Sequence, residues 1–430
     1  MSRLPGRLNL FQSTMLDWRD QHPYIAVHAL RIPRPLDRDA LQRAIDAELA
    51  QAGLTGLELD RRRGRYAWHG GPAASTIDVI EAGSEWQPRL EREIERLMNL
   101  PFERRGRIDP FRFFALTTGD GFFLGLAYDH FIAGGDSIVA LMNAIAARYE
   151  GQPQAAPPPE RYPRRHWRLF ARHPLHFARA LARMPAMAQS CRRTVRPRYR
   201  RIEEGHNGFA LFSVSGADFA TLRAAAKRWG VTFNDVLLAL LLLAQAQRNP
   251  GRSQAARRHE LAVASIVNLR DEHGDAVRDA FGQFLSSFRV SHPVPDGVAL
   301  DALARDVHWQ TSRIKRERLY LATLFAMRID RIIGRFQSPQ QRMGVYAKNY
   351  PVGAGTSTLN VDALWRRCGE DPVPLYIRGV PTGPIAPIVV AATTSNGTMQ
   401  AGVSWRTSAA TRDEIDRMWS DILDRIHALP

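Results

Sequence analysis

The chain has 430 residues, a length that predicts two domains or one two-lobed unit with a sizeable core. Its composition, with 45% apolar and 24% charged residues, is typical of a soluble globular protein, and its formal net charge is +16. The longest apolar stretch is about half as long as a membrane span, and no secretory signal is visible. The two cysteines, Cys191 and Cys368, provide neither a disulfide framework nor a metal cluster. We therefore expect a cytoplasmic protein without a metal.

Strands and helices alternate irregularly through the first half of the chain. Apolar periodicity predicts strands at residues 24–32, 111–117 and 121–128, and helices at residues 37–50 and 90–98. The last of these strands is apolar and aromatic throughout, which is typical of an interior strand.

A histidine follows this interior strand, in the run Asp-His-Phe-Ile-Ala-Gly-Gly-Asp-Ser. An accessible imidazole titrates near neutral pH, so His130 is a candidate general base, and the alternative is a structural histidine at a strand end. Gly134 and Gly135 are predicted to permit a backbone that other residues resist. Asp136 or Ser137 is predicted to cap the next helix.

A basic, proline-rich segment separates the two halves. We predict an N-terminal lobe at residues 1–150, a linker at 151–205 and a C-terminal lobe at 206–430. Thirteen arginines and no acidic residue lie between Arg161 and Arg201. This window is a solvated surface, or it contacts an anionic membrane, an acidic carrier protein or coenzyme phosphates. Nucleic acid is disfavoured because no recognition motif is visible.

The part of this linker at residues 167–184 is amphipathic and is interrupted by a proline. Such a segment could lie on a bilayer, dock on the body of the protein or bridge the lobes. If it lies on a bilayer, the cytoplasmic protein would be peripheral to the membrane.

The second half of the chain also mixes both kinds of element. Helices are predicted at residues 218–229, 234–247, 300–316 and 411–429, strands at 209–214, 261–269 and 286–290, and a hairpin at 386–405 that turns at Ser395-Asn396-Gly397. The predicted fold class is α/β (α+β), with two lobes that each contain a sheet flanked by helices.

The run around His130 resembles the His-His-x-x-x-Asp-Gly signature of the CoA-dependent acyltransferase superfamily. This superfamily includes chloramphenicol acetyltransferase, condensation domains, BAHD-type acyltransferases and wax ester synthases. Four further segments resemble family patterns: residues 10–15, where condensation domains carry a glutamine, residues 231–239, residues 267–270 with Arg270, and residues 387–429. The resemblance implies two chloramphenicol acetyltransferase-like lobes, each with a mixed sheet, and an active-site channel between them.

The match to the signature is degenerate. His130 corresponds to the second histidine, Asp129 to the first, Gly134 to the aspartate, Gly135 to the glycine and Ser137 to a serine of some condensation domains. In the family that aspartate pairs with an arginine and shapes the loop.

The missing aspartate would leave Arg270 without its carboxylate, and a buried unpaired guanidinium is costly. We therefore expect Asp136 or Asp129 to pair with Arg270 from a different backbone position.

The resemblance implies an acyltransferase with His130 as general base. It would move an acyl group from acyl-CoA or a phosphopantetheinyl acyl carrier protein, as co-substrate and without a bound cofactor, to an alcohol or amine in lipid or secondary metabolism. Thr356 and Ser357 are candidate oxyanion or substrate donors, with an ordinary loop as the alternative. The alternative function, motivated by Gly134, is a degenerate relative that binds a carrier protein or lipid without transfer.

Overall fold

The computed structural model describes residues 4–73, 75–152, 160–161, 167–273, 280–365 and 375–429. The strands are β1 (Leu4–Arg7), β2 (Ile25–Ile32), β3 (Leu57–Asp60), β4 (Arg65–Trp68), β5 (Ile77–Glu81), β6 (Arg107–Ile108), β7 (Phe111–Thr118), β8 (Gly121–Asp129), β9 (Glu160–Arg161), β10 (Asn207–Val214), β11 (Leu261–Asn268), β12 (Ala280–Phe281), β13 (Leu285–His292), β14 (Ala354–Asn360), β15 (Tyr376–Gly379), β16 (Ile388–Ser395) and β17 (Thr398–Arg406). The helices are α1 (Leu10–Arg19), α2 (Arg38–Ala52), α3 (Trp86–Met98), α4 (Gly135–Tyr149), α5 (Trp167–Arg172), α6 (Pro174–Ala182), α7 (Met184–Arg193), α8 (Gly216–Trp229), α9 (Phe233–Arg248), α10 (Arg270–His273), α11 (Leu300–Arg316), α12 (Tyr320–Gly334), α13 (Pro339–Met343), α14 (Val345–Asn349) and α15 (Arg412–His427).

The first large sheet has the strand order β15-β2-β8-β7-β5. Its strand β8 is buried along its whole length, as its apolar sequence predicts. Side chains of α3 pack on one face of the sheet, and side chains of α2 and α4 pack on the other. Because β8 is enclosed on both faces, the residue that follows it, His130, starts from a rigid support.

The second large sheet has the order β10-β17-β16-β14-β11-β13. Helices α8, α9, α11 and α15 cover it and form a separate core with its strands. Thr232 caps α9 in a capping box with Asp235, so the predicted start of this helix is confirmed. The two-lobed α/β fold expected from the sequence is confirmed.

The first sheet contains a strand from the second half of the chain. β15 pairs antiparallel with β2, which brings Arg378 opposite His28. Gly402 of β17 lies directly beneath, since a Cβ atom there would be 1.9 Å from the Arg378 carbonyl oxygen. Only glycine permits this approach, so the two large sheets meet at the strand that carries Arg378.

The basic segment forms α5, α6 and α7. Leu169, Phe170 and Ala180 are buried, and Phe177 contacts Phe325 of α12 with ring centroids 5.5 Å apart. Of the three placements considered for this segment, the structure shows docking on the body. The proline cluster at 153–159 lies outside the described residues, as does Cys368.

Helices α8 and α9 meet the length and hydropathy of a membrane span only together, as a pair bent by 102°. No single helix in the described parts of the chain does so. Eleven of the 16 residues of α9 are buried, and its apolar side chains belong to the core of the second lobe.

Candidate active site

The loop between β8 and α4 carries His130. Gly134 is the N-cap residue of α4, and neither Asp136 nor Ser137 caps it, so the predicted cap is wrong. Gly134 has φ −77° and ψ 164°, which any residue adopts, and Gly135 is not left-handed either. The prediction that these glycines serve an unusual backbone is therefore also wrong.

Gly134 is required for space. A Cβ atom at this position would lie 2.8 Å from Asp136 Oδ1 and 3.1 Å from Gln283 Oε1. Gln283 donates from Nε2 to the backbone carbonyls of His130 and Ala133, at 3.0 and 3.1 Å. Gln283 was missed by the sequence analysis, and its side chain ties the histidine loop to the second half of the chain.

Arg270 supports the same loop from a buried position. Its Nε atom forms an ion pair with Asp136, and it donates to Ser137 Oγ at 2.7 Å and to the Ala280 carbonyl at 2.6 Å. The displaced carboxylate expected for Arg270 is thus present, two residues beyond the position of the family aspartate. The charge of the guanidinium is balanced although Gly134 carries no side chain.

Asp129 has a different partner. It is buried at the end of β8 and forms an ion pair with Arg19 of α1. Burial raises the pKa of Asp129, while the charge of Arg19 acts in the opposite direction. Asp129 therefore links the start of the histidine loop to α1 and does not contribute to the Arg270 site.

His130 is buried, with 8% of its surface exposed. Its ring packs against Tyr24 and Tyr128, with centroids 5.5 and 5.7 Å away, and its Nδ1 atom has no hydrogen-bond partner among the described residues. Burial lowers the pKa of His130 to about 4; the Ala133 carbonyl opposes this effect, and the charge of Arg378 adds to it. The ring is therefore neutral at pH 7 and can accept a proton.

A cavity of about 110 Å³ lies beside His130 and is lined by residues from both halves of the chain. Most of its wall is apolar, with residues of α1 on one side and of β11, β14 and β16 on the other. The polar residues that line it include His28, Tyr128, His130, Ser265, Thr356, Ser357 and Arg378. This placement is the one expected for a site between the lobes.

Thr356 and Ser357 lie on β14, so the expectation of an ordinary loop is wrong. Thr356 Oγ1 donates a hydrogen bond to Ser265 Oγ at 2.9 Å, and it also lies 3.3 Å from Asn234 Oδ1. Ser357 Oγ accepts a hydrogen bond from Arg378 Nη1 at 3.2 Å, which leaves its own hydroxyl proton for a ligand. Of the two candidates, Ser357 is the better placed donor.

Arg378 is a second residue that the sequence analysis missed. It is 2% exposed, and its four hydrogen bonds go to neutral oxygens: Thr393 Oγ1, Ser357 Oγ, and the carbonyls of Ser357 and Ala392. Burial lowers its pKa to about 10. An arginine inside the apolar run Leu-Tyr-Ile-Arg-Gly-Val was the available signal.

The described residues contain no group of three or more His, Cys, Asp or Glu side chains that could hold a metal ion. Cys191 is a buried free thiol, and burial raises its pKa.

No protein-family model and no curated protein matches this sequence. Solved structures do match over nearly the whole chain. The first condensation domain of the calcium-dependent antibiotic synthetase, in complex with a substrate analogue, is 14% identical, with a TM-score of 0.71 and coverage of 99% of this chain and 97% of that one. The EpoB cyclization-docking bidomain from Sorangium cellulosum is 12% identical, with a TM-score of 0.70 and coverage of 99% and 86%.

An epimerization domain of tyrocidine synthetase B also matches, at 12% identity and a TM-score of 0.64, with coverage of 100% and 98%. The fold implied by the resemblance to the CoA-dependent acyltransferase superfamily is therefore confirmed. The chain has the condensation-domain fold.

Proposed function

We propose that this protein transfers an acyl group from a thioester of CoA or of a phosphopantetheinyl carrier protein to an alcohol or amine, in lipid or secondary metabolism. The observation that carries the proposal is the state of His130, a neutral imidazole at the wall of an apolar cavity between two lobes. The fold supports the proposal, because neighbours with this architecture include condensation domains.

His130 would act as the general base, since its imidazole ring is neutral and lines the cavity. It would take a proton from the acceptor as the oxygen or nitrogen attacks the thioester carbonyl. The new C–O or C–N bond forms, the C–S bond breaks, and the proton passes to the departing thiolate. Holding donor and acceptor together in one cavity supplies proximity without an acyl-enzyme.

The oxyanion formed by this attack would need a donor, and Ser357 Oγ is the side-chain hydroxyl best placed for it. Thr356 is less suitable, because its hydroxyl proton is already committed to Ser265. Asp136, Ser137, Gly134 and Arg270 would support the loop without touching the substrate.

A carrier protein that delivers the acyl group would bind to this positively charged protein. Arg172 and Arg179 are exposed on α5 and α6, and we expect an acidic carrier protein to use this face. Reversal of both charges to glutamate should raise KM for the carrier more at low salt than at high salt, because exposed charges are screened. An unchanged KM would contradict this use of the face.

A mass-spectrometric screen of acyl thioesters against alcohols and amines tests the proposed reaction. His130→Gln should lower the rate by about 100-fold or more, the usual contribution of a general base. The matched control is His22→Gln, because His22 is also buried and its pKa is lowered to about 3, but it lies outside the cavity. Equal rates for the His130 variant and the wild type would refute the proposal.

The degenerate alternative predicts a different outcome from the same screen. Under that alternative the wild type binds an acyl carrier protein or a lipid but produces no transfer product. The observation that motivates it is Gly134, and the Asp136–Arg270 ion pair weakens it because the loop keeps a charged support.

A further inference from the structure

Arg378 is a buried cation in the cavity wall that has no carboxylate within ion-pair distance among the described residues. Its Nε and both Nη2 hydrogens go to Thr393, Ser357 and Ala392, and one Nη1 hydrogen goes to Ser357 Oγ. A guanidinium has five N–H groups. One Nη1–H is therefore left without a partner in the described chain, on a group held in place by four hydrogen bonds.

Gly135 leaves space next to this remaining donor. A Cβ atom at position 135 would lie 3.4 Å from Arg378 Nη1 and 3.6 Å from His28 Cε1, so its absence leaves room of roughly one methyl group. Gly135 lines the same cavity as His130 and Ser357. A ligand oxygen in this space could accept a hydrogen bond from Arg378 Nη1.

We infer that Arg378 forms a subsite for a carboxylate of the acceptor, beside Gly135. A buried charge without a counter-ion is costly in the free protein, and a ligand with a permanent negative charge offsets that cost when it binds. A hydrogen-bonded arginine is also the side chain best suited to a carboxylate. Assigning the carboxylate to the acceptor rests on the proposed acyl transfer, whereas binding of the anion itself does not.

Equilibrium binding tests the subsite without any reaction. Phenylacetate and phenylacetamide have nearly the same shape and differ in charge, and Trp18 in the cavity wall supplies a fluorescence signal. We expect the wild-type protein to bind phenylacetate at least 10-fold more tightly than the amide. Arg378→Met should abolish this preference, and Gly135→Ala should reduce it by filling the space beside Nη1.

Arg406→Met is the matched control, since Arg406 is also buried and donates to backbone carbonyls but does not line the cavity. It should keep the preference, which rules out a general effect of the net charge. If Arg378→Met does not fold, Arg378→Lys takes its place. The lysine keeps the positive charge, and this variant should retain part of the preference for phenylacetate. Equal binding of both probes by the wild type, or an unchanged preference in Arg378→Met and Gly135→Ala, would overturn the inference.

Kinetic measurements distinguish a carboxylate subsite at Arg378 from a role of Arg378 in binding the oxyanion, and they test the proposed function separately. With an acceptor that carries a carboxylate, Arg378→Met should raise KM at least 10-fold; with the matching carboxamide acceptor, KM should not change. Loss of kcat with both acceptors and no change in KM would assign Arg378 to the oxyanion and reject the carboxylate subsite. If the wild type transfers no acyl group but prefers phenylacetate, the proposed function fails and the anion site stands.

Discussion

Two buried arginines lie beside the first turn of α4, and they differ in how their charge is balanced. Arg270 forms an ion pair with Asp136, whereas Arg378 has only neutral acceptors among the described residues. Removing one partner of a buried ion pair strongly lowers the free energy of unfolding, whereas a buried charge without a counter-ion is itself destabilising. The comparison indicates that Arg270 maintains the histidine loop and that Arg378 keeps its charge for a ligand.

The largest expected difference between the two arginines is in stability. Arg270→Met leaves the Asp136 carboxylate without its ion-pair partner and should lower the free energy of unfolding by about 3 to 5 kcal/mol. Arg378→Met leaves no charge behind and should cost no more than about 1 kcal/mol, the loss of hydrogen bonds being offset by relief of the buried cation. Urea unfolding of both variants measures this difference, and equal losses would contradict the comparison.

Restoring the family aspartate should also destabilise the loop. In Gly134→Asp the new Cβ would lie 2.8 Å from Asp136 Oδ1 and bring a second carboxylate to Arg270, so we expect a loss of about 2 to 3 kcal/mol. The double variant Gly134→Asp, Asp136→Ala should recover most of this loss, because a single carboxylate again faces Arg270. Urea unfolding shows whether the two changes are coupled; additive losses would mean that the aspartates do not substitute for one another.

The acid sensitivity of the protein tests the buried neutral state of His130. Its pKa is about 4 in the folded protein and about 6.5 in an unfolded chain. The unfolded state therefore binds more protons between these values, and stability falls as the pH is lowered through this window. Between pH 7 and pH 5 His130 should account for a loss of about 2 kcal/mol. His130→Gln should remove that part of the pH dependence in urea unfolding, and an unaltered slope would place the pKa near 6.5.

Much of the fold could be predicted from local patterns, whereas the site could be predicted only in part. Helix α11 has the bounds that its periodicity indicates, and the Asn396-Gly397 hairpin turn has the positive φ angles of 48° and 68° that its sequence suggests. Arg378 reaches the cavity only because β15 pairs with β2, more than 300 positions earlier in the chain. No local pattern encodes that pairing, so the residue beside His130 could not be recognised from its neighbours in sequence.

The smallest expected effect is electrostatic and concerns His130. The charge of Arg378 contributes to the low pKa of His130. Arg378→Met should therefore raise the pKa of His130, and with it the pH below which kcat/KM declines, because kcat/KM reports the free enzyme's base. A carboxylate bound beside Arg378 should raise the same pKa, since it neutralises the same charge. NMR titration of the His130 ring measures both shifts; a pKa that does not move in Arg378→Met would show that this charge is screened from His130, and Arg378 would then act on the ligand alone.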